Sequence, residues 1–512
     1  MTELLLAATS LDVTPPPGHR LDGYAARAGV ATSTADPLCA TMIWLSSVDD
    51  PGVLWLTLDA IAVSSTLARE LAEAAGAAAG IPPSHVVVSA SHTHSGPSGW
   101  TGEIHPVIPA EQERSLVDSL VAALRGAQLT LQPVTASWRS VEVVGVGTNR
   151  HRRNGPHDNT AGILALHSLT GSLEAVLLDF ACHPTTYGPE NMRYSADWPG
   201  AARAALAPAV VGFLQGAAGD VSPRFTRQGR GAAEVTRLGT LLATRVRESL
   251  AGPGLELPQS VPAIRRTTLT LPVRNIPPAN ESEALVTAAE KLLTEAEQLA
   301  TATEQLATTS APSATAAGSI TTASGPGATA SEPGATTSAP SATAAGSSTT
   351  ASGPGATASG PNGTASGPGA LASGPGALAS GPAAAASGAI TRAAVDDPSG
   401  RISQTRLDGA RGQALMAAAN LPSALDLPVS AVTMGDVCWI NLPVELFAVH
   451  GACLQSDSTH PITRVIGYTD GYYGYVVDPS AAQAGTYEAL ITFFDQPTTN
   501  QLLTETATFV NQ

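Results

Sequence analysis

Apolar residues fall in short blocks along the chain, separated by stretches in which they recur three and four apart. The blocks Leu4–Ser10, Ala40–Ser46, Val53–Leu58, His85–Ala90, Ile163–His167, Glu174–Phe180, Val210–Leu214, Val429–Met434 and Val437–Leu442 predict strands. The stretches Ser65–Ala79, Glu111–Arg125, Ala232–Leu250 and Glu445–Ser456 predict helices with one apolar face. Strands mixed with helices throughout predict an α/β fold, mixed β-sheets flanked by helices in one large layered domain.

The pattern breaks at Thr308 and resumes after Ala389. Between them the chain is almost wholly Ala, Ser, Gly, Thr and Pro, and it repeats ASGPGAT or a close variant from Ala323, Ala330, Ala351, Ala365 and Ala372. Proline and glycine in every unit exclude a coiled coil. Such a segment cannot bury enough apolar surface to offset its ordering entropy, which predicts a disordered insert over 308–389. A flexible chain of that length has an end-to-end distance of roughly 50 Å. Polar, alanine-rich helices are predicted on either side, at Glu281–Ala307 and Ile402–Asn420, which would put the insert at the tip of a helical hairpin. The large domain is then made in two parts, residues 1–307 and 390–512.

Charge and composition narrow the function classes. The 512 residues carry a net charge of −16, and Lys291 is the lone lysine. No basic face for nucleic acid can be built from so few scattered cations. Schiff-base chemistry and a Walker A loop need a lysine in a context that Lys291, inside a polar helix, does not have. Cys39, Cys182, Cys438 and Cys453 are far apart, with no CxxC pair, and are expected as buried free thiols. The apolar run Leu4–Ala8 follows Glu3 and is too short for a signal peptide, and no stretch has the length of a membrane span. These features lead to the expectation of a soluble, cytoplasmic protein.

Candidate chemistry gathers at predicted strand ends. SHTHSGPSG (Ser91–Gly99) follows the strand His85–Ala90; if strand geometry persists, His92 and His94 share a face, as a metal site or an acid–base pair needs. His183 in DFACHPTTYG also follows a strand, with Asp197 in SADWPG nearby to orient a ligand histidine. GAAGDVSP (Gly216–Pro223) holds Ser222 in what, alone, reads as a tight turn; it is neither GxSxG nor a phosphate loop. Glu445 is expected to open a helix, and Tyr475 lies in the aromatic run GYYGY.

Taken in order, SHTHSGP, FACHPTTYG with SADWPG, GDVSP, PVELF and GYYGYVVDPSAAQAGTYE resemble the neutral/alkaline ceramidases, over roughly residues 5–275 and 425–495. The resemblance implies a zinc-dependent amide hydrolase that cleaves N-acylsphingosine with zinc-activated water. It implies His92, His183, Glu445 and Tyr475 as the Zn2+ ligands, and His94, Arg150 (in GTNRHRR), Ser222 and Tyr487 as the other active-site residues. Tyr487 stands twelve residues after Tyr475, the spacing of the family's two active-site tyrosines. Ser222 is either a substrate-positioning hydroxyl or a nucleophile, and the latter needs an adjacent base. A partner small-molecule or lipid amide is implied as substrate. Two other readings stay open. One is a zinc hydrolase of a small non-lipid amide or ester in the cytoplasm, since neither a secretion signal nor the family's C-terminal immunoglobulin-like domain is seen. The other is an inactive binding or scaffold protein that uses the repeat for contacts.

Overall fold

A computed structural model describes residues 3–24, 27–101, 105, 112–257, 260–309 and 401–512. The expected strands form, within a residue or two of the expected ends except that the strands expected at Ile163 and Val429 begin earlier, at Thr160 and Ala424, and they assemble with further strands into two main sheets. The larger runs in the order Val210–Gln215, Leu173–Phe180, Thr160–Ser168, Gln132–Glu142, Leu5–Asp12, Cys39–Ser46, Val53–Leu58, Val86–Ala90. Its pairings are antiparallel except at the two ends, where Val210–Gln215 pairs parallel with Leu173–Phe180 and Val53–Leu58 with Val86–Ala90. The sheet bends round so that Val210–Gln215 also touches Cys39–Ser46, Val53–Leu58 and Val86–Ala90. A second sheet is Ala263–Pro272, Ala424–Met434, Val437–Asn441, Ile462–Ile466, the last pair parallel.

Alternation along each strand divides the core. Ile43 and Leu45 meet Trp55, Trp138 and Leu164 in the interior of the bent sheet, while Met42 and Trp44 face the helices Ser65–Ala79 and Arg114–Arg125. Val437 and Trp439 join that interior, whereas Cys438 and Ile440 face the other way, towards Leu454 and Leu502 of the helices Ala448–Asp457 and Gln496–Val510. Strands buried on both faces read as unbroken apolar runs, which is why these were legible in the sequence. On the outer side of Leu173–Phe180 lie the helices Asp197–Ala205 and Ala232–Leu250, through Trp198, Leu238 and Leu242. The helix Ser65–Ala79 begins where Ser64 accepts the Leu67 N–H and stops at Gly80, with φ of 72°. Layers of helix and mixed sheet are thus the α/β architecture expected.

One compact unit contains Met1–Ala302 and Pro382–Gln512; a second, Thr303–Gly381, has only 303–309 among the described residues, as the end of the helix Ala279–Thr309. That helix and Arg401–Ala418 correspond to the predicted hairpin arms, and Ala289 packs with Leu407 and Ala410. The disorder expected over 308–389 falls outside the described residues, except for Thr308 and Thr309 in the helix. Two details differ from expectation. Of the thiols expected to be buried, Cys39 is half-buried and Cys453 is exposed, on the solvent side of its helix. Glu445 does not open a helix: Glu445–Leu446 forms a short parallel bridge with Tyr475–Val476, and the helix starts at Ala448. A pairing between segments thirty residues apart leaves no local signature, so a favourable charge at a helix start was the natural reading.

Candidate metal centre

Each ligand-bearing loop leaves the end of a strand. The strand Val86–Ala90 ends two residues before His92, whose backbone turns left-handed with φ of 65°. His92 and His94 therefore do not share a face by strand alternation, as expected from sequence; the turn at His92 brings the rings edge to face instead, with centroids 5.0 Å apart. The strand Leu173–Phe180 ends three residues before His183, whose ring lies 4.5 Å from that of His92. Gln215, fully buried, holds the two loops together: its amide accepts from Cys182 N at 3.0 Å and donates to Cys182 O at 2.9 Å and Ser91 O at 3.1 Å.

The three imidazoles are oriented by main-chain carbonyls. His92 Nδ1 donates to Ile61 O at 2.6 Å, His94 Nδ1 to Gly23 O at 2.8 Å, and His183 Nδ1 to Ala218 O at 2.7 Å. Asp197, expected to orient His183, does something else. Its carboxylate accepts the N–H groups of Thr186, Tyr187 and Trp198 and so shapes the loop after His183. Gly23 fits closely over His94: a Cβ there, at a φ of 101°, would come within 2.6 Å of the imidazole.

With Nδ1–H committed, each Nε2 presents a lone pair. His92 Nε2 and His183 Nε2 lie 3.3 and 3.2 Å from the same atom, Oε2 of Glu445. Burial, helped by the neighbouring imidazoles, lowers the basicity of His94 far below the ordinary value, and burial with Arg150 lowers that of His183 to about 4. Burial alone would raise the Glu445 carboxyl, but the histidines overcome it and hold the group ionised. A carboxylate set against imidazole nitrogens in a dry site is a set of donor atoms that a cation can share. His94 Nε2 is also buried, without a hydrogen-bond partner among the described residues. The ligand atoms of His92, His94 and His183 all lie within 4.8 Å of one another, so these residues can hold a metal ion. Nitrogen donors and a carboxylate on separate strand ends are a donor set for a divalent metal ion.

Glu445 is in turn held by hydroxyls: Tyr472 donates to Oε1 and Tyr468 to Oε2, the latter at 3.3 Å. Tyr468, left-handed with φ of 56°, stacks on His92 with centroids 4.1 Å apart. Neither tyrosine was singled out from the sequence, although Tyr472 lies within GYYGY and Tyr468 three residues before it. Replacing Tyr472 by phenylalanine is expected to weaken metal binding about ten- to a hundredfold, as loss of a group behind a ligand does, with the fold kept. Metal competition against a chromogenic chelator measures it; an unchanged affinity would remove Tyr472 from the support of the site.

The register of the short bridge sets Glu445 directly beside Tyr475. Arg150 reaches the same place, donating to Tyr475 Oη at 3.3 Å and to His183 Nε2 at 3.1 Å. Its Nε donates to Glu488 Oε1 at 2.8 Å, and Arg150 and His151 hold that buried carboxyl well below its usual range against the effect of burial. Tyr487 packs edge to face on Tyr475, with centroids 6.2 Å apart. Asp220 of GDVSP accepts from Asn149 Nδ2 at 2.6 Å and Ala448 N at 2.8 Å, joining the Arg150 loop to the helix after Glu445. Ser222 is buried, with its Oγ accepting from Arg224 N at 3.3 Å; among the described residues no imidazole bonds to it, so the base a serine nucleophile needs is not in place. The eight residues implied by the resemblance thus come together, with His92, His94, Arg150, Ser222, Glu445, Tyr475 and Tyr487 lining one cavity of about 850 Å³ and His183 bonded behind it. Glu488, Gln215, Asp220, Tyr468 and Tyr472 complete it.

No family model matches the sequence, and no curated protein matches it. Two solved structures match over 99% of the chain. One is neutral ceramidase from Pseudomonas aeruginosa, with a TM-score of 0.62, 14% identity and 74% of that chain covered. The other is a ceramidase complexed with C2, with a TM-score of 0.59, 13% identity and 75% of that chain covered. The chain has the neutral ceramidase fold, and the likeness read from its motifs is met at that level. Among the described residues, no helix is long and apolar enough to cross a membrane.

Proposed function

We propose that the protein is a zinc-dependent hydrolase of an amide bond in an N-acyl compound of the ceramide type. The observation that carries this reading is the shared approach of His92 Nε2 and His183 Nε2 to one carboxylate oxygen of Glu445, three acceptors that a cation would satisfy together. Likeness in fold to structures described as ceramidases supports the choice of substrate class.

In this reading His92, His183, Glu445 and Tyr475 hold the zinc. Bound zinc supplies Lewis acidity and lowers the pKa of a water to about 7. The chain's own residues do the rest. His94, neutral and with its Nε2 lone pair uncommitted, accepts a proton, while Gly23 O keeps the ring in that tautomer. Burial raises the Tyr487 hydroxyl far above its ordinary value, so it stays protonated and serves as a hydrogen-bond donor to the substrate. Arg150, fixed by Glu488, orients the substrate carbonyl and the Tyr475 hydroxyl. Ser222 positions substrate through its hydroxyl.

Elemental analysis of purified protein, paired with fatty-acid release from an N-acyl sphingosine, tests this. Near-stoichiometric zinc with turnover is expected. Zinc without turnover would move the substrate to smaller, non-lipid amides, and absence of metal at neutral pH would sink the hydrolase reading.

A further inference from the structure

Among the described residues four carboxylates line the cavity. Glu445 faces the metal centre, Glu488 fixes Arg150, and Asp408 accepts from Gln404 on its own helix. Asp22, only 5% exposed, has no such role. Its loop is clamped to the one that carries His92 and His94. Asp22 N donates to Gly96 O at 2.9 Å, and Leu21 bridges to Pro97. Arg27 Nη1 donates to both Asp22 O and His94 O, at 2.6 and 2.8 Å. The next carbonyl along, Gly23 O, takes the His94 Nδ1 proton. The Asp22 side chain thus stands one residue from the contact that orients His94, on a backbone held in place as recognition of a reacting group requires.

The hydrogen-bonding capacity of this carboxylate is half filled. Oδ2 accepts the Thr101 hydroxyl at 2.9 Å, and that hydroxyl is shared with Ser98 O. Oδ1 receives no donor among the described residues and is open to the cavity. Arg27 stands close enough to be felt, but its Nη protons go to the carbonyls of Asp22, His94 and Gly188. Asp197 is as deeply buried, and the difference is instructive: its oxygens are taken by three backbone N–H groups. Burial raises the Asp22 carboxyl to about 6 against the pull of Thr101, Arg27 and His92, which leaves it ionised at neutral pH. A buried carboxylate short of a donor is costly, and a hydroxyl brought to it forms a short, charge-assisted bond.

We propose that Asp22 is a specificity residue whose Oδ1 accepts a hydrogen bond from a hydroxyl on the amine half of the substrate, close to the scissile amide. Resting on the hydrolase reading above, this narrows the substrate to a neutral N-acyl amino alcohol, the class to which N-acylsphingosine belongs, over simple N-alkyl amides.

Three matched amides test it with the metal-loaded protein: N-octanoylethanolamine, N-octanoyl-2-methoxyethylamine and N-octanoylpropylamine. The first offers a hydroxyl donor, the second an ether oxygen that only accepts, and the third neither. The ethanolamide is expected to show kcat/KM at least tenfold above both others, since a site built to bond a hydroxyl rejects the analogue that lacks it. Asp22→Leu should bring that ratio close to one with metal content kept, and Asp22→Asn, which keeps an acceptor oxygen, should retain part of it. Should Asp22→Leu not fold, a preference at least threefold smaller in Asp22→Asn sustains the proposal and an unchanged one overturns it. Equal rates for the three amides in the unaltered protein overturn it, as expected if Asp22 met only the amide N–H common to all. A preference that survives Asp22→Leu, or variants that slow all three alike, also overturn it. If none of the amides is cleaved, calorimetric binding of the same three separates the two readings. Tighter binding of the ethanolamide, lost in Asp22→Leu, would fault the hydrolase reading and leave the hydroxyl site standing, and equal binding would overturn the site.

Discussion

Replacing His183 by alanine is expected to empty the metal centre and to lower amide hydrolysis by about 10³-fold or more, the several kcal/mol that a Lewis acid contributes. His183 is fully buried, and its Nε2 is one of the two imidazole atoms set against Glu445 Oε2. Its removal leaves the carboxylate with a single imidazole, and Arg150 Nη1 loses the acceptor at 3.1 Å. The adjacent loop should persist, because Gln215 grips Cys182 through main-chain atoms and Asp197 holds the amides of Thr186 and Tyr187. Circular dichroism should accordingly stay native while elemental analysis shows metal falling from near one per chain to near zero. His94→Gln separates the two roles assigned to the histidines: metal retained with activity lost fits a proton acceptor, and metal lost would make His94 a ligand. Full metal content in His183→Ala would remove the proposed ligand set.

The second large effect concerns stability. Arg464, in the strand Ile462–Ile466, is 8% exposed and donates through Nε to Asp179 Oδ1 at 2.7 Å and through Nη2 to Thr160 O at 2.7 Å. Asp179, 1% exposed, belongs to the strand that delivers His183, so this pair ties the second sheet to the first just behind the metal centre. Asp179→Ala would strand a guanidinium away from water, and breaking one side of a buried ion pair costs about 3–5 kcal/mol. Asp179→Ala combined with Arg464→Met removes the stranded charge and should recover much of the loss. Urea unfolding measures both; a cost under about 1 kcal/mol for the single variant would show that the pair is not what holds the sheets in register.

What the sequence made legible follows from where the information is local. Val53–Leu58 and Val437–Asn441 were readable because both faces of each strand are buried, and Ser65–Ala79 because its apolar face keeps helical spacing to a left-handed stop at Gly80. The strands Gln132–Glu142 and Ala263–Pro272 were not seen, since exposed polar residues interrupt their apolar positions. The convergence of the motif residues could be inferred only through the ceramidase resemblance, because the contacts that make it are long-range. His92 reaches the site by a left-handed turn, and Glu445 by pairing with Tyr475. Second partners of ligands were hardest to read. A lone glutamine such as Gln215, or an aspartate such as Asp197 that serves backbone amides, has no spacing rule to betray it.

The bridge between Glu445–Leu446 and Tyr475–Val476 also bears on the order in which the molecule comes together. Chains grow from the N-terminus at about 5–20 residues per second, and early segments collapse before late ones emerge. His92 and His183 belong to the larger sheet, whose strands are complete by Leu255–Glu256. The carboxylate and phenol that finish the cage come only with the second sheet. Until then only the imidazoles of the proposed ligand set are in place, and the set of His92, His183, Glu445 and Tyr475 is half built. With Glu445 and Tyr475 among the ligands, as proposed above, metal capture is a closing event, governed by how fast the last strands dock, and the cation would sort finished molecules from unfinished ones instead of templating their folding.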